Sequence, residues 1–291
     1  MADLNGKAIV TCALTGVLTD PQRHPVPVTP EEMASAAKEA FDAGASVMHC
    51  HFRDQRPGLG HMPTWDPEIV DEITQAIRDA CKGVVLNFST GVMGPDISAP
   101  AACLEKSKPE MAALNAGSLN YLKVRSNGQW AWPPLLFDNP ISKVEAFLKV
   151  MEKEGITPEC ECFDTGIVRS IGMLRKVGLL KAPTHVSLVM GVASGMPAKA
   201  NWLPLLVEEL PEDTYWQTIV IGRDEVWDVH RASAELGGHL RTGVEDTFYL
   251  PDGSRTSGNG QLIEALVQVA RDAGREVASP DEVRASLKGV A

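Results

Sequence analysis

Apolar, strand-like runs alternate with capped amphipathic helices along almost the whole chain, and this alternation constrains the fold more than any other feature. Strand-like runs occur at 8–13 (AIVTCA), 46–52 (SVMHCHF), 84–91 (VVLNFSTG), 112–121 (AALNAGSLNY), 158–166 (PECECFDTG), 184–192 (THVSLVMGV), 215–222 (YWQTIVIG) and 239–246 (HLRTGVED). Helical patterns separate them. In TPEEMASAAKEAFDAG, Thr29 caps, Pro30 suits the first position, acids fill the first turn and Gly44 closes the helix. About eight such units argue for a parallel sheet. In 291 residues they fit an α/β protein with a single-domain (β/α)8 TIM barrel over roughly 1–275, followed by a C-terminal helical appendage over 276–291. A doubly wound open sheet is the alternative. The barrel is preferred because polar exits follow nearly every strand, and a barrel gathers them at one face.

The polar exits carry the chemistry. The chain has 7 histidines, and two of them, His49 and His51, stand two apart at the end of an apolar run. In a strand, residues i and i+2 share a face, so both imidazoles leave one side of the strand end. Such a pair can grip a divalent metal or can simply hydrogen-bond. A third ligand would come from the acids at strand ends: Asp164, Asp224, Glu245 or Asp246. In HLRTGVED, Arg241 accompanies two adjacent carboxylates. One can ligate while the other stays free as a base; the plainer reading is a solvated helix cap. Ser89 and Thr90, in NFSTG, offer hydroxyls to a carboxylate or carbonyl oxygen, and Asn115, Ser118 and Asn120 offer polar groups in the same way. No GxSxG elbow marks Ser89 as a nucleophile. Arg53 and Asp54 read as an ion pair, and Asp164 with Gly166 as a turn.

Composition limits the function classes. A net charge of −11 argues against nucleic acid or an anionic membrane as the main partner. No run approaches the length of a membrane helix, and the N-terminal residues lack the pattern of a signal peptide. The 6 cysteines sit in apolar contexts and read as reduced and buried, in a cytoplasmic protein. Neither a Walker loop nor GxGxxG is present.

Seven motifs in order, TGV, PVTPEEMASAAKEAFDAGASVMHCHFRD, NFSTG, ALNAGSLNY, ECFDTG, GGHLRTGVED and NGQLIEALVQVARDAGREVA, cover most of the chain. Together they resemble the beta-keto acid cleavage enzyme family. The resemblance implies a (β/α)8 barrel, a homotetramer and a divalent metal, typically zinc, on His49, His51 and Glu245. It implies that a β-keto acid and acetyl-CoA give acetoacetate and a new acyl-CoA. Asp246, tuned by Arg241, would be the catalytic acid/base, and Ser89 would help hold the substrate. Members acting on an amine-bearing substrate are expected to carry an acid just after the first TG, where this chain has Val17. A neutral or apolar keto acid is therefore expected, although Glu161 can still supply a negative charge. Arg23 and His24, in the first loop, are candidates for an acidic tail or coenzyme phosphates. The alternative is a metal-dependent hydrolase or aldolase on the same barrel. Such hydrolases usually need further histidines on later strands, and His185 and His239 are badly placed for that.

Overall fold

The computed structural model describes residues 4–287. The elements follow the order β1 (Val10–Ala13), α1 (Pro30–Asp42), β2 (Val47–Cys50), α2 (Pro67–Ala80), β3 (Val85–Phe88), α3 (Ser98–Ser107), β4 (Met111–Asn115), β5 (Leu119–Tyr121), β6 (Leu135–Phe137), α4 (Ile141–Glu154), β7 (Thr157–Cys162), α5 (Thr165–Lys176), β8 (Thr184–Met190), α6 (Leu203–Glu208), β9 (Thr214–Val220), α7 (Val226–Glu235), β10 (His239–Thr242), α8 (Asn259–Asp272) and α9 (Pro280–Leu287). Eight strands close into a barrel in the order β1-β2-β3-β4-β7-β8-β9-β10, and all neighbours are parallel. The (β/α)8 expectation therefore holds.

The strands read as almost continuous apolar runs because helices cover their outer faces. Local chemistry starts the helices where the sequence indicates. Thr29 Oγ1 accepts from Glu32 N at 3.2 Å while Glu32 Oε2 accepts from Thr29 N at 3.1 Å, a reciprocal cap that contributes about 1 kcal/mol. At the barrel's N-terminal end, Val283 and Leu287 of α9 bury against Ile9, Val47, Val85, Met111 and Tyr215. The tail helix thus plugs the floor; residues 288–291 of the expected appendage lie outside the described residues. His185 and His239 stack on either side of Tyr215 in the same floor, at centroid distances of 5.0 and 5.8 Å.

Two features depart from the expected elements. The run at 112–121 is not one strand. It breaks after Asn115, and β5 and β6 form a separate antiparallel hairpin between β4 and α4. The segment at 199–211 holds only a short α6 preceded by one 3-10 turn. The six cysteines are free and buried, as expected.

Candidate metal centre and active site

The C-terminal ends of the strands gather the site. His49 lies on β2 and His51 just past its end, and both imidazoles face the barrel axis as the two-residue spacing requires. The first turn after β10 returns Glu245 over them. Glu245 Oε1 lies 3.4 Å from His51 Nε2 and 3.7 Å from His49 Nε2. The three ligand atoms all fall within 4.8 Å of one another. Donors about 2 Å from a tetrahedral zinc stand about 3.3 Å apart, so this set fits a small divalent cation. Glu245 Oε2 is buried with no hydrogen-bond partner among the described residues, which suits a carboxylate that can bind a cation. Of the four acids that sequence left open as the third ligand, only Glu245 reaches the histidines. Asp164 caps α5, accepting from Ile167 N at 2.8 Å, and Asp224 lies on the surface beside Arg223.

Arg241, on β10, is 2% exposed and binds three carboxylates. Nη2 donates to Glu245 Oε1 at 2.7 Å and to Asp246 Oδ1 at 3.2 Å; Nε donates to Asp246 Oδ2 at 3.3 Å, and Nη1 to Glu161 Oε1 at 3.3 Å. Burial works against its charge, but Asp246, Glu245, Glu161 and Glu159 outweigh burial and hold the guanidinium firmly protonated. The carboxylates do not behave alike. Burial would raise Glu245, yet His51, Arg241 and His49 together hold it well below the usual carboxylate range. Asp246 goes the other way: burial pushes it up to about 7 against the pull of Arg241, with the Glu245 charge adding to the rise. Glu161 is pushed up to about 8, again mainly by burial. His49 is held neutral by burial and by the Arg241 charge. One ionised carboxylate facing two imidazoles thus sits beside two acids that can carry a proton near neutral pH.

The profile of the beta-keto acid cleavage enzyme family matches residues 7–288. The chain belongs to that family. It is 33% identical over 282 residues to the 3-keto-5-aminohexanoate cleavage enzyme of Fusobacterium nucleatum, covering 97% of both chains. It is 32% identical over 307 residues to the 3-dehydrocarnitine:acetyl-CoA trimethylamine transferase of Rhizobium meliloti, covering 98% of this chain and 97% of that one. The apo structure of ObcA shares the fold, with a TM-score of 0.73 and 20% identity over 90% of this chain and 65% of that longer one. As a beta-keto acid cleavage enzyme, the protein catalyses keto acid cleavage with acyl transfer.

In this beta-keto acid cleavage enzyme the loop after β1 closes one side of the site, and Arg53 holds it there. The expected Arg53–Asp54 ion pair is not formed. Asp54 instead pairs with Arg56, and Arg53 turns inward, where it is 1% exposed. Its donors reach four carbonyls: Thr15 O at 2.8 Å, Gly16 O at 3.0 Å, Thr19 O at 2.7 Å and Gly60 O at 2.8 Å. Gly16 has φ +58°, and a Cβ there would stand 2.8 Å from Glu245 Cγ. Only glycine lets the loop pass so close to that carboxylate.

The remaining expected site residues divide between site and scaffold. Ser89 is buried beyond the end of β3, and its Oγ accepts from Gly91 N at 3.3 Å. It shares a corner with Asn115, since a Cβ on Gly91 would meet Ser89 Oγ at 3.7 Å and Asn115 Nδ2 at 3.9 Å. Thr90 donates to Ala113 O at 2.5 Å, so its proton ties β3 to β4. Ser118 Oγ accepts from Asn139 N at 2.7 Å, within the loop beside the hairpin, and Asn120 lies exposed on β5. Val17 is half-buried in the first loop. His24 stacks on Phe248 at 4.5 Å.

A layer beneath the histidines escaped sequence reasoning. Asn87, Glu159, Ser187 and Gln217 are all buried on β3, β7, β8 and β9. The signal was present: Asn87 is two residues before Ser89, and Glu159 two before Glu161, so each pair shares the inward face.

Proposed function

We propose that the protein converts a β-keto acid and acetyl-CoA into acetoacetate and a new acyl-CoA, using a divalent metal, most simply zinc, on His49, His51 and Glu245. The observation that carries this reading is the split between neighbouring carboxylates on one arginine. Glu245 is held ionised facing two imidazoles, while Asp246 is raised towards neutral. When bound, the metal polarises the keto oxygen as a Lewis acid. Asp246 takes a proton from the methylene between the keto and carboxylate groups. The carbanion attacks the acetyl thioester carbon and expels the coenzyme thiolate. That thiolate attacks the original keto carbon, the carbon–carbon bond breaks, and Asp246 returns its proton to the leaving acetoacetate carbanion. Arg241 stabilises the ionised form of Asp246 at each exchange. Ser89 and Asn115, which share one corner of the site, orient the keto acid, with Thr90 shaping the wall behind them.

The tail of the keto acid is neutral or apolar. Val17 stands where a cationic substrate would call for an acid, and burial pushes the Glu161 carboxyl up to about 8, which weakens it as a counter-charge. Acetyl-CoA docks by its phosphates on the rim, where Arg255 Nη2 donates to His24 Nδ1 at 3.0 Å and Arg223 lies 4.4 Å over the ring of Tyr249. These cations and rings come from the exits of β1, β9 and β10, on an otherwise acidic chain. A homotetramer agrees with the exposed Trp130, Leu135 and Leu136 around the β5–β6 hairpin. A cytoplasmic location agrees with six free cysteines. Among the described residues, no helix is long and apolar enough to cross a membrane.

The test is a panel of neutral, acidic and cationic β-keto acids incubated with acetyl-CoA and metal-loaded protein, with new acyl-CoA esters read by mass. Acetoacetate matched by one acyl-CoA confirms the reaction and identifies the tail. No product from any keto acid would overturn it.

A further inference from the structure

We infer that Asn87 and Glu159 are positioning residues for the metal ligand His49, linked to it in a hydrogen-bond relay that fixes which imidazole nitrogen faces the cation. The inference rests on the metal reading above and concerns residues that no part of that chemistry uses.

The relay is built across the barrel interior. Asn87 is the register partner of His49 on adjacent strands, so the two side chains stand next to each other on the inward face. His49 Nδ1 and Asn87 Oδ1 are both buried, and neither has a hydrogen-bond partner among the described residues. Two orphaned atoms of opposite character on neighbouring side chains are costly unless they serve one another. The relay joins these two atoms.

The direction of every bond is dictated from the far end. Gln217 Nε2 donates to Ser187 Oγ at 2.9 Å, and the Ser187 hydroxyl donates to Glu159 Oε1 at 2.7 Å. Glu159 Oε2 accepts from Asn87 Nδ2 at 2.5 Å. Burial raises the Glu159 carboxyl, while Arg241, Ser187, Gln217 and Asn87 all favour its charge; in that charged form it only accepts, so it faces the amide nitrogen of Asn87 and the amide oxygen is left on the side of His49. That oxygen requires a proton on His49 Nδ1. The lone pair then lies on Nε2, the atom that faces Glu245 Oε1. A histidine ligand held through its second nitrogen is both oriented and made more basic. His51 is part-exposed, so His49 is the ligand whose tautomer the interior controls.

Glu159 is the element that makes the relay directional. Glu159→Gln keeps its volume and can still hydrogen-bond, but its amide can turn Asn87 around and present Nδ2 to His49. The wrong tautomer would then be favoured. Ser187→Ala removes a neighbouring bond and leaves the carboxylate facing Asn87.

The experiment measures zinc affinity by chelator competition and the His49 tautomer by nitrogen-15 NMR, in the zinc-loaded and zinc-free full chain. The expected result is a slowly exchanging Nδ1–H on wild-type His49. Glu159→Gln and Asn87→Leu should weaken zinc binding about 10- to 100-fold, and Ser187→Ala by no more than about threefold. Wild-type His49 protonated at Nε2 would overturn the relay, as would zinc affinity unchanged in folded Glu159→Gln and Asn87→Leu. If neither variant folds, the wild-type tautomer alone decides. If wild-type protein binds no zinc, the metal reading fails, while the tautomer of the zinc-free protein still decides the relay.

Discussion

Arg53 donates through Nε to Gly16 O at 3.0 Å, and this bond seats the loop after β1 against the carboxylate of Glu245. Arg53 is adjacent to an acid in sequence but touches none of its charge. It binds carbonyl oxygens only, while burial pulls its own pKa down to about 10. Arg53→Met would strand four carbonyls at once. The expected loss is about 3–5 kcal/mol of stability, read from urea unfolding, with a fall in zinc content of the folded fraction. A loss under about 1 kcal/mol with full zinc content would mean that the loop is held by other contacts.

Gly16→Ala tests the same closure from the other side. The residue has positive φ, which costs a side chain about 1–2 kcal/mol, and the added Cβ would meet Glu245 Cγ at 2.8 Å. The substitution should therefore lower zinc affinity more than the small stability loss explains. Titration of zinc into the purified variant checks this; wild-type affinity would show that the loop and Glu245 move apart freely.

Glu245 and Asp246 are adjacent in sequence but shifted in opposite directions, and the two substitutions should separate. Glu245→Gln removes a ligand and should empty the metal site. Asp246→Asn should leave zinc bound and lower turnover about 10²- to 10⁴-fold, the usual contribution of a positioned acid/base. Metal analysis beside turnover decides it. Equal zinc loss in both variants would refute the division of roles.

The eight-unit barrel and the two histidines were legible in the sequence because both follow from short-range periodicity. Short apolar runs between capped helices mark the strands, and a spacing of two puts His49 and His51 on one face. The third ligand was legible only through the family resemblance, since spacing alone left four acids open. Glu245 rather than Asp246 reaches the histidines because Gly16 and Gly243 allow two loops to pass at close quarters; a Cβ on Gly243 would stand 2.1 Å from Ala13 O. That path is tertiary. Arg53 was misread because its neighbour in sequence was an acid, whereas its partners lie 34–38 residues earlier and on a loop 7 residues later. Asn87, Glu159, Ser187 and Gln217 were missed because single polar residues within apolar runs look like exceptions. They become a layer only when the barrel closes and their inward faces meet.

The floor of the barrel predicts acid sensitivity. Burial lowers His185 to about 4, and its Nε2 has no hydrogen-bond partner. The unfolded chain protonates this histidine near 6.5, before the folded chain does, so its contribution to stability is present above that pH and is lost as pH falls from about 6.5 to about 4. The loss is about 3 kcal/mol at most. Asp246 and Glu161 act in the opposite direction, since their folded forms keep protons that the unfolded chain releases. The comparison must therefore be made between proteins at each pH. His185→Phe keeps a ring against Tyr215 and removes the titration. Its stability should gain on wild type as pH falls from 7 to 5, and a constant difference would rule out His185 as a source.

The rim cations predict a selective defect in coenzyme use. Arg255 lies 5.8 Å from the centroid of Phe248, 6.0 Å from that of Tyr249 and in hydrogen-bond contact with His24. Within this cluster its guanidinium faces rings and an imidazole, an arrangement ready to take a phosphate. Arg255→Ala should raise KM for acetyl-CoA about tenfold, the value of one charge-assisted contact, and leave kcat nearly unchanged. Acetyl-pantetheine has the same thioester without the nucleotide phosphates. Its KM should be the same for wild type and variant. An equal defect with both thioesters would place the effect of Arg255 on the loops around Asp246 rather than on the coenzyme, and no defect with either would move the phosphate site elsewhere on the rim.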